Sequence, residues 1–522
     1  MISSLLKVGG NTLASRILGF ARDLLVARLF GADAGTDAFF VAFKIPNLFR
    51  RLFGEGAFAN ALIPVLHEAE VAGGPPELRR LLASLSGRLG AGLILMTLIG
   101  VLAAPLLTLI FAPGFAAQPD QGELAGELLR LTLPYVAFVV LAALAGAALN
   151  LHERFGVPAF TPVLFNLTII GCALWLAPRL EEPILALGWG VLLGGLTQLA
   201  FQLPFLARLG LLPRPRLAWP HPGTREVLGR LGPVLIGGSV TQINLLLDTF
   251  LASFLVSGSI SWLYYADRLV EFPLGILGAA LGIVILPRLT RQGRGVASGQ
   301  ASGAGGSGGS GHAEFSRTLD WGLRWVLYLG LPASLGLVML AEPLIATLFL
   351  SNEFGSQDVR MAGAGLQGYG LGLMAFMAIK VLAPAYFALG DTRTPWRMGW
   401  VILALNLGLS LVLMGPLGQA GLALATSLAA WVNAGLLLWG LMATRAYGPG
   451  SAWGQRLRAA LVAAAALAIL LGLGREDLAV WLQVSAGERL TRLVLWMGGA
   501  AVLYLLVLRA MGVRLGDLVE EM

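Results

Sequence analysis

Fourteen stretches of about 20 mostly apolar residues, each long enough to cross the hydrocarbon of a bilayer, run through this chain of 522 residues. Their approximate spans are 8–30, 36–66, 85–112, 125–150, 157–177, 184–208, 226–255, 261–288, 317–349, 360–389, 395–415, 419–444, 456–474 and 489–511. Backbone polar groups in hydrocarbon must be satisfied inside helices or a closed barrel, and stretches of this length read as helices. The composition agrees. Charged residues make up 12% of the chain, against roughly 25% in a soluble domain. That excludes a soluble enzyme, a disordered chain and a secreted disulfide scaffold. The single cysteine, Cys172, permits no internal disulfide. His67, His152, His221 and His312 lie too far apart in sequence for a histidine metal motif. The first stretch is interrupted by Arg16, Arg22, Asp23 and Arg28, so it is read as a retained span and not a cleaved signal.

Orientation follows from the arginines. With the N-terminus inside, 21 of the 36 Lys and Arg fall in inside loops. The outside connections hold Arg179 and Arg475, with Arg489 and Arg492 opening the last span. This asymmetry predicts that both termini are cytoplasmic. It also accounts for the net charge of +7 without a nucleic-acid partner, and no nucleic-acid motif is present.

Residues 295–311, reading GVASGQASGAGGSGGSG, form a flexible linker near the middle of the chain. Features of the two halves of the chain repeat in order. Pro64 and Pro287 close similar apolar runs 223 residues apart, and Asn166 and Asn406 recur 240 residues apart. An even number of spans separates the copies, so both keep one orientation. Two parallel-related six-helix bundles plus two C-terminal helices are expected, an arrangement found in transporters. The expected divisions are 1–220, 221–450 and 451–522.

Six cations sit inside expected spans: Arg16, Arg22, Lys44, Arg50, Arg51 and Arg268. A charge at the bilayer centre costs at least about 2.5–3.5 kcal/mol, so these must face a water-filled cavity or a partner. The nearby acids are Asp23, Asp37, Glu55, Asp267 and Glu271, too few to balance every cation singly. Arg22 with Asp23, and Arg268 with Asp267, are candidate local pairs. Arg28, Arg130, Arg324 and Arg360 lie within snorkelling reach of an interface. Guanidinium binds phosphate through a planar fork and stays charged at any physiological pH. A cavity with surplus arginine therefore points to an anionic, phosphate-bearing ligand. Asp248 is a further intramembrane acid, open to reading as a helix-polar contact, a proton carrier or a cation ligand. No nucleophile elbow, Walker loop or zinc motif appears, so a transporter is expected and not an enzyme.

The runs Ser15–Asp23 (SRILGFARD), Gly35–Arg51 (GTDAFFVAFKIPNLFRR) and Gly54–Phe58 (GEGAF) strongly resemble the MurJ/MviN family. Tyr264–Arg268 through Glu271–Gly275, Val381–Tyr386 and Asp391–Pro395 resemble the same family. The resemblance implies a fourteen-helix lipid II flippase of the bacterial inner membrane, within the multidrug/oligosaccharidyl-lipid/polysaccharide exporter superfamily. Its substrate-binding arginines fall on Arg16, Arg22, Arg50 and Arg268. Asp23 and Asp37 are its functional acids, and with Glu55 they are expected to gate by pairing with basic groups when substrate is absent. The last two helices would take the lipid tail. A monovalent cation such as sodium would sit at Asp248, Asn406 and Thr426, although Ser410 stands where the family has an acid; no other cofactor is implied. Membrane lipid and cell-wall synthesis proteins are the further partners. The rival reading is a cation-coupled multidrug exporter, or an exporter of another lipid-linked oligosaccharide, from the same superfamily.

Overall fold

The computed structural model describes residues 2–54, 57–217, 221–237, 239–297, 308–474 and 476–513. The regular elements among them are helical. Glu55 and most of the Gly/Ser linker lie outside the described residues. Contacts divide the chain into two compact units, Met1–Ser261 and Trp262–Met522.

The first unit holds α1 (Ile2–Phe30), α2 (Ala34–Gly54), α3 (Ala57–Leu102), α4 (Ala104–Phe111), α5 (Pro119–Thr132), α6 (Tyr135–Leu151), α7 (Gly156–Gly171), α8 (Leu185–Arg208), α9 (Pro222–Gly237) and α10 (Ser239–Ala252). It also holds the first turn of α11 (Ser259–Ala297). Local chemistry sets the boundaries that matter for function. Helix α1 stops where Gly31 takes a left-handed φ of 71°, and its N–H closes onto the Ala27 carbonyl at 2.9 Å. Asp33 and Thr36 then cap α2 reciprocally: Asp33 Oδ1 accepts the Thr36 N–H, and Thr36 Oγ1 accepts the Asp33 N–H, both at 2.9 Å. That cap places Asp37 in the first turn of α2. Within α3, Gly74 leaves helical geometry with φ 67°, and Pro75 and Pro76 follow, so the run of 46 residues is two helices across a kink.

The second unit holds the rest of α11, then α12 (Gly308–Trp325), α13 (Leu331–Met339), α14 (Ala341–Phe349), α15 (Ser356–Gly370), α16 (Leu373–Ala388) and α17 (Arg393–Leu417). It ends with α18 (Gln419–Ala443), α19 (Trp453–Leu473), α20 (Leu478–Gln483) and α21 (Ala486–Ala510). A π-helical turn, Val326–Gly330, joins α12 to α13.

Ten helical stretches among the described residues are long and apolar enough to cross a membrane, and they overlay ten of the expected spans. The other four expected spans, 8–30, 36–66, 226–255 and 261–288, also fall on helices: α1, α2 with the start of α3, α9 with α10, and α11. The helices α1, α2 and α11 carry the intramembrane cations, and α9 and α10 are each shorter than a full crossing. Exposed apolar side chains form the lipid-facing surface, among them Ile94, Leu98 and Leu102 on α3, Val412 on α17 and Leu495 on α21.

Two expected boundaries shift. The division expected at residue 220 falls instead at Ser261, because α9 packs along α3 and α10 contacts α2 and α4. Nor do the last helices form a separate body. Helix α19 packs on α13 and α21, and a core of Leu327, Leu467, Trp481, Leu493 and Tyr504 joins them to the second unit. Two expected spans are also broken. The run 85–112 pauses at Ala103 before α4, and the run 317–349 pauses at Leu340 before α14. Proline follows each break, Pro105 and Pro343, 238 residues apart. This adds a third landmark to the internal repeat.

Candidate functional site

Arg22 is the most enclosed of the expected substrate-binding arginines, at 8% exposure. Its Nε and Nη2 both donate to Asp23 Oδ1, at 3.0 and 2.6 Å. Its Nη1 donates to Asn166 Oδ1 on α7 at 3.1 Å. Asn166 Nδ2 in turn donates to the Ser15 carbonyl on α1 at 3.2 Å. The guanidinium carbon also sits 5.9 Å from the centre of the Phe43 ring on α2. Three helices thus hold one side chain. The structure brings Arg22 and Asp23 together as expected, even though successive helical residues point about 100° apart. The Asn166 contact was not read from sequence, where that residue served only as a landmark of the repeat.

Asp23 occupies the edge of the guanidinium, Nε with Nη2, that also binds phosphate in a two-pronged manner. A carboxylate oxygen in that fork satisfies the charge in a dry setting and is replaceable by a stronger anion. Arg50, partly buried on α2, donates from Nε to Asn47 Oδ1 at 2.8 Å. Arg16 is exposed on α1, two turns before Asp23.

Asp37 departs from expectation. Among the described residues it makes no ion pair, and its carboxylate acts instead as a helix cap at 2% exposure. Oδ2 accepts the Gly258 N–H at 2.7 Å, while Oδ1 accepts the Ser261 N–H at 2.8 Å and the Ser261 Oγ at 2.6 Å. These N–H groups open α11, where unsatisfied donors and the helix dipole both favour an anion. The signal missed in sequence was the acceptor need of that helix start. Gly258 and Ser259 stand at that start, and neither has a carboxylate of its own.

In the second unit Arg268 pairs with Glu271, one turn further along α11. Nη1 lies 2.6 Å from Glu271 Oε2, and Nη2 donates to the Tyr264 Oη at 2.9 Å. All three lie on α11 at helical i, i+3 and i−4 spacing, so one face presents them together. The guanidinium covers the Tyr264 ring at 4.8 Å.

The expected cation ligands divide between the units. Asn406 and Thr426 meet, Thr426 Oγ1 donating to Asn406 Oδ1 at 3.4 Å. Ser410 is fully buried one turn further along α17, and its hydroxyl has no hydrogen-bond partner among the described residues. Asp248 is buried on α10 of the first unit. No group of three or more His, Cys, Asp or Glu side chains among the described residues is arranged to hold a metal ion.

Arg324 is a further correction. Expected to snorkel, it is 6% exposed, with Nε donating to the Asp320 carbonyl at 3.3 Å. The Asp320 carboxylate is itself buried on α12. It accepts the Tyr447 hydroxyl, the Trp453 indole N–H at 2.8 Å and the Gly450 N–H at 3.2 Å. One acid therefore fastens the whole connection from α18 to α19, which sequence reasoning did not anticipate.

Comparison with known proteins gives one answer. The family model described as lipid II flippase MurJ matches residues 26–488. A probable lipid II flippase MurJ of Vibrio cholerae serotype O1 is 43% identical over 528 aligned positions, covering 99% of this chain and 97% of that protein. The lipid II flippase MurJ of Burkholderia cenocepacia is 38% identical, covering 87% and 86%. Among solved structures, a lipid II flippase MurJ in an inward closed conformation aligns with a TM-score of 0.76 at 24% identity, covering 97% of each chain. A multidrug resistance transporter of the MATE family, inward-facing, aligns with a TM-score of 0.61 at 15% identity, covering 82% and 94%. These structural likenesses establish the fold.

Proposed function

This chain belongs to the lipid II flippase MurJ family, and from that premise we propose that it carries lipid II from the cytoplasmic to the periplasmic leaflet of a bacterial inner membrane. Identity of 43% along the full chain to a flippase supports this reading over a multidrug exporter, whose structures match at 15%. In this reading the undecaprenyl tail stays in lipid while the diphosphate, sugar and peptide head crosses by alternating access. The protein acts as a transporter, not an enzyme, with both termini cytoplasmic.

The observation that carries the mechanism is the Asp23 oxygen lying in the fork of the Arg22 guanidinium. Arg16, Arg22 and Arg50 in the first unit, and Arg268 in the second, are the residues assigned to the diphosphate. A carboxylate repels a diphosphate, so Asp23 serves the substrate-free state, where it keeps a buried cation from standing alone. Diphosphate entry displaces Asp23 from the fork, and a ligand shifts such an equilibrium by its differential affinity for the two states. Asp37 acts differently: by capping α11 it holds the entry to the second unit in one arrangement. A monovalent cation at Asn406 and Thr426, with Asp248, would supply coupling; their oxygen chemistry suits sodium.

The test is complementation in flippase-depleted cells, scoring lipid II exposed on the outer leaflet. Restored growth with restored exposure supports the reading. Restored exposure of a different lipid-linked sugar, without lipid II, overturns it.

A further inference from the structure

A cavity of about 360 Å³ in the first unit, between α4 and α5, plays no part in the mechanism above. Its walls include Pro105, Thr108, Leu109, Phe115, Glu123 and Arg130. Three features mark it as a ligand site. Thr108 is 4% exposed and lines the cavity, yet its hydroxyl has no hydrogen-bond partner among the described residues; such a group usually has one. Glu123 and Arg130 are exposed, on one face of α5, and neither is in an ion pair with a described residue. Gly122 and Gly126 also line the cavity, and Glu127, exposed between the two charges on the same side of α5, is not among its walls. The wall then continues into lipid-facing surface through Leu106, Leu109 and Ile110, which are 58%, 49% and 52% exposed.

The order of the charges selects the ligand. Helix α5 enters the bilayer from the loop before Pro119, so Glu123 is nearer the water and Arg130 is deeper. Seven residues of helix separate them, about 10 Å of rise. Counted inward from water, a phosphoethanolamine lipid presents an ammonium, then a phosphate, then acyl chains. The cavity presents the complement: a carboxylate, then a guanidinium, then an apolar wall. We propose that this cavity holds one phospholipid by its phosphoethanolamine head group, with Glu123 on the ammonium, Arg130 on the phosphate and Thr108 donating to a phosphate or ester oxygen.

The internal repeat shows that the fold does not require these residues. With Pro105 matched to Pro343, Ala346 stands in place of Thr108. With Ala125-Gly126 matched to Ala362-Gly363, Arg360 replaces Glu123 and Gln367 replaces Arg130. In that copy the space over Gly363 is taken by the Glu342 side chain, whose Cγ lies 3.0 Å from where a Cβ would be.

The experiment uses the full-length protein in detergent, with native mass spectrometry of the first lipid retained. The probes are phosphatidylethanolamine, phosphatidylglycerol and phosphatidylcholine of matched chains. Phosphatidylethanolamine should be preferred about tenfold, the worth of one charge-assisted hydrogen bond. Arg130→Gln should weaken retention of all three lipids. Glu123→Gln should bring phosphatidylethanolamine level with the other two. Thr108→Val should cost a few-fold for every lipid. Because Glu123 and Arg130 are exposed, both variants should keep the wild-type melting temperature. Equal retention of the three lipids by the wild-type protein, or an unchanged preference in both charge variants, overturns the proposal. Soluble glycerophosphoethanolamine competing as well as the lipid would also overturn it, by making this a site for a water-soluble ligand.

Discussion

Arg22 and Arg268 each hold a carboxylate at 2.6 Å, and by distance alone the two ion pairs are the same interaction. Their surroundings differ. The side chains of Arg22 and Asp23 are 10% and 4% exposed, while those of Arg268 and Glu271 are 22% and 37% exposed. The first pair is dry and reaches across helices through Asn166; the second is half wet and closes on its own helix. Removing one partner of a buried pair leaves an uncompensated charge, whereas breaking an exposed pair costs about 0–1 kcal/mol. Two arginines assigned to one ligand should therefore fail in different ways.

The largest expected effect is at Arg22. Arg22→Ala removes the guanidinium that Asp23 accepts from in a dry site and should lower stability by about 3–5 kcal/mol, measured as loss of folded protein in a thermal melt. The double variant Arg22→Ala with Asp23→Ala should recover most of that stability while remaining inactive in complementation. If the single variant melts like the wild type, the contrast with Arg268 is wrong.

At Arg268 the loss should be functional. Arg268→Ala should cost less stability than Arg22→Ala yet fail to complement. Arg268→Lys keeps the charge and loses the fork. Full growth of the lysine variant would show that charge alone suffices.

Asp37 offers an intermediate case, a buried carboxylate with hydrogen-bond donors and no cation among the described residues. Asp37→Asn keeps the shape, loses the charge, and should cost about 1–3 kcal/mol. It should also change crosslinking between cysteines placed on the two rims, in a Cys172→Ala background, with lipid II affinity equal or tighter. Unchanged crosslinking with weaker lipid II binding would place this acid on the substrate.

The smallest effect belongs to Asp391, in the loop before α17. Its Oδ1 accepts the N–H groups of Arg393 and Thr394 at 3.0 and 2.9 Å. Partial burial pushes its pKa up, but the bonds to Thr394 and Arg393 and the Arg397 charge outweigh that and hold it below the ordinary value. A lowered folded pKa adds stability above the unfolded value of about 3.9, and that stability is lost as pH falls through the folded pKa. The melting-temperature difference between wild type and Asp391→Asn should stay flat from about pH 8 to 5 and shrink only below about pH 4. A difference that shrinks already near pH 6 would contradict this assignment.

Ten of the spans were legible in the sequence because a 20-residue apolar run has one stable form in a bilayer. So was the Arg22–Asp23 pair, since charges in such runs stand out. The Arg268–Glu271 pair was legible too, from its i, i+3 spacing, though Asp267 drew attention by adjacency. What the sequence did not reveal depends on distant chain meeting in space. Asn166 lies 144 residues from Arg22, and Ser261 lies 224 from Asp37. No local pattern encodes either meeting. The breaks before α4 and α14 were within reach, since Ala-x-Pro-Leu-type text begins both helices, but apolarity masked them.

The knot of donors around Asp320 bears on how the chain is made. Tyr447 and Trp453 follow that acid by 127 and 133 residues. At a synthesis rate of about 5–20 residues per second, the wait is roughly 6–25 s. For that interval the ribosome has delivered a helix whose acid lacks these donors, and a carboxylate buried without its hydrogen bonds is costly. Helix α12 therefore settles fully only as the nineteenth helix emerges. A chain stalled before Tyr447 would display an unsatisfied acid at the end of a span, the kind of mark by which membrane quality control can tell an unfinished protein from a finished one.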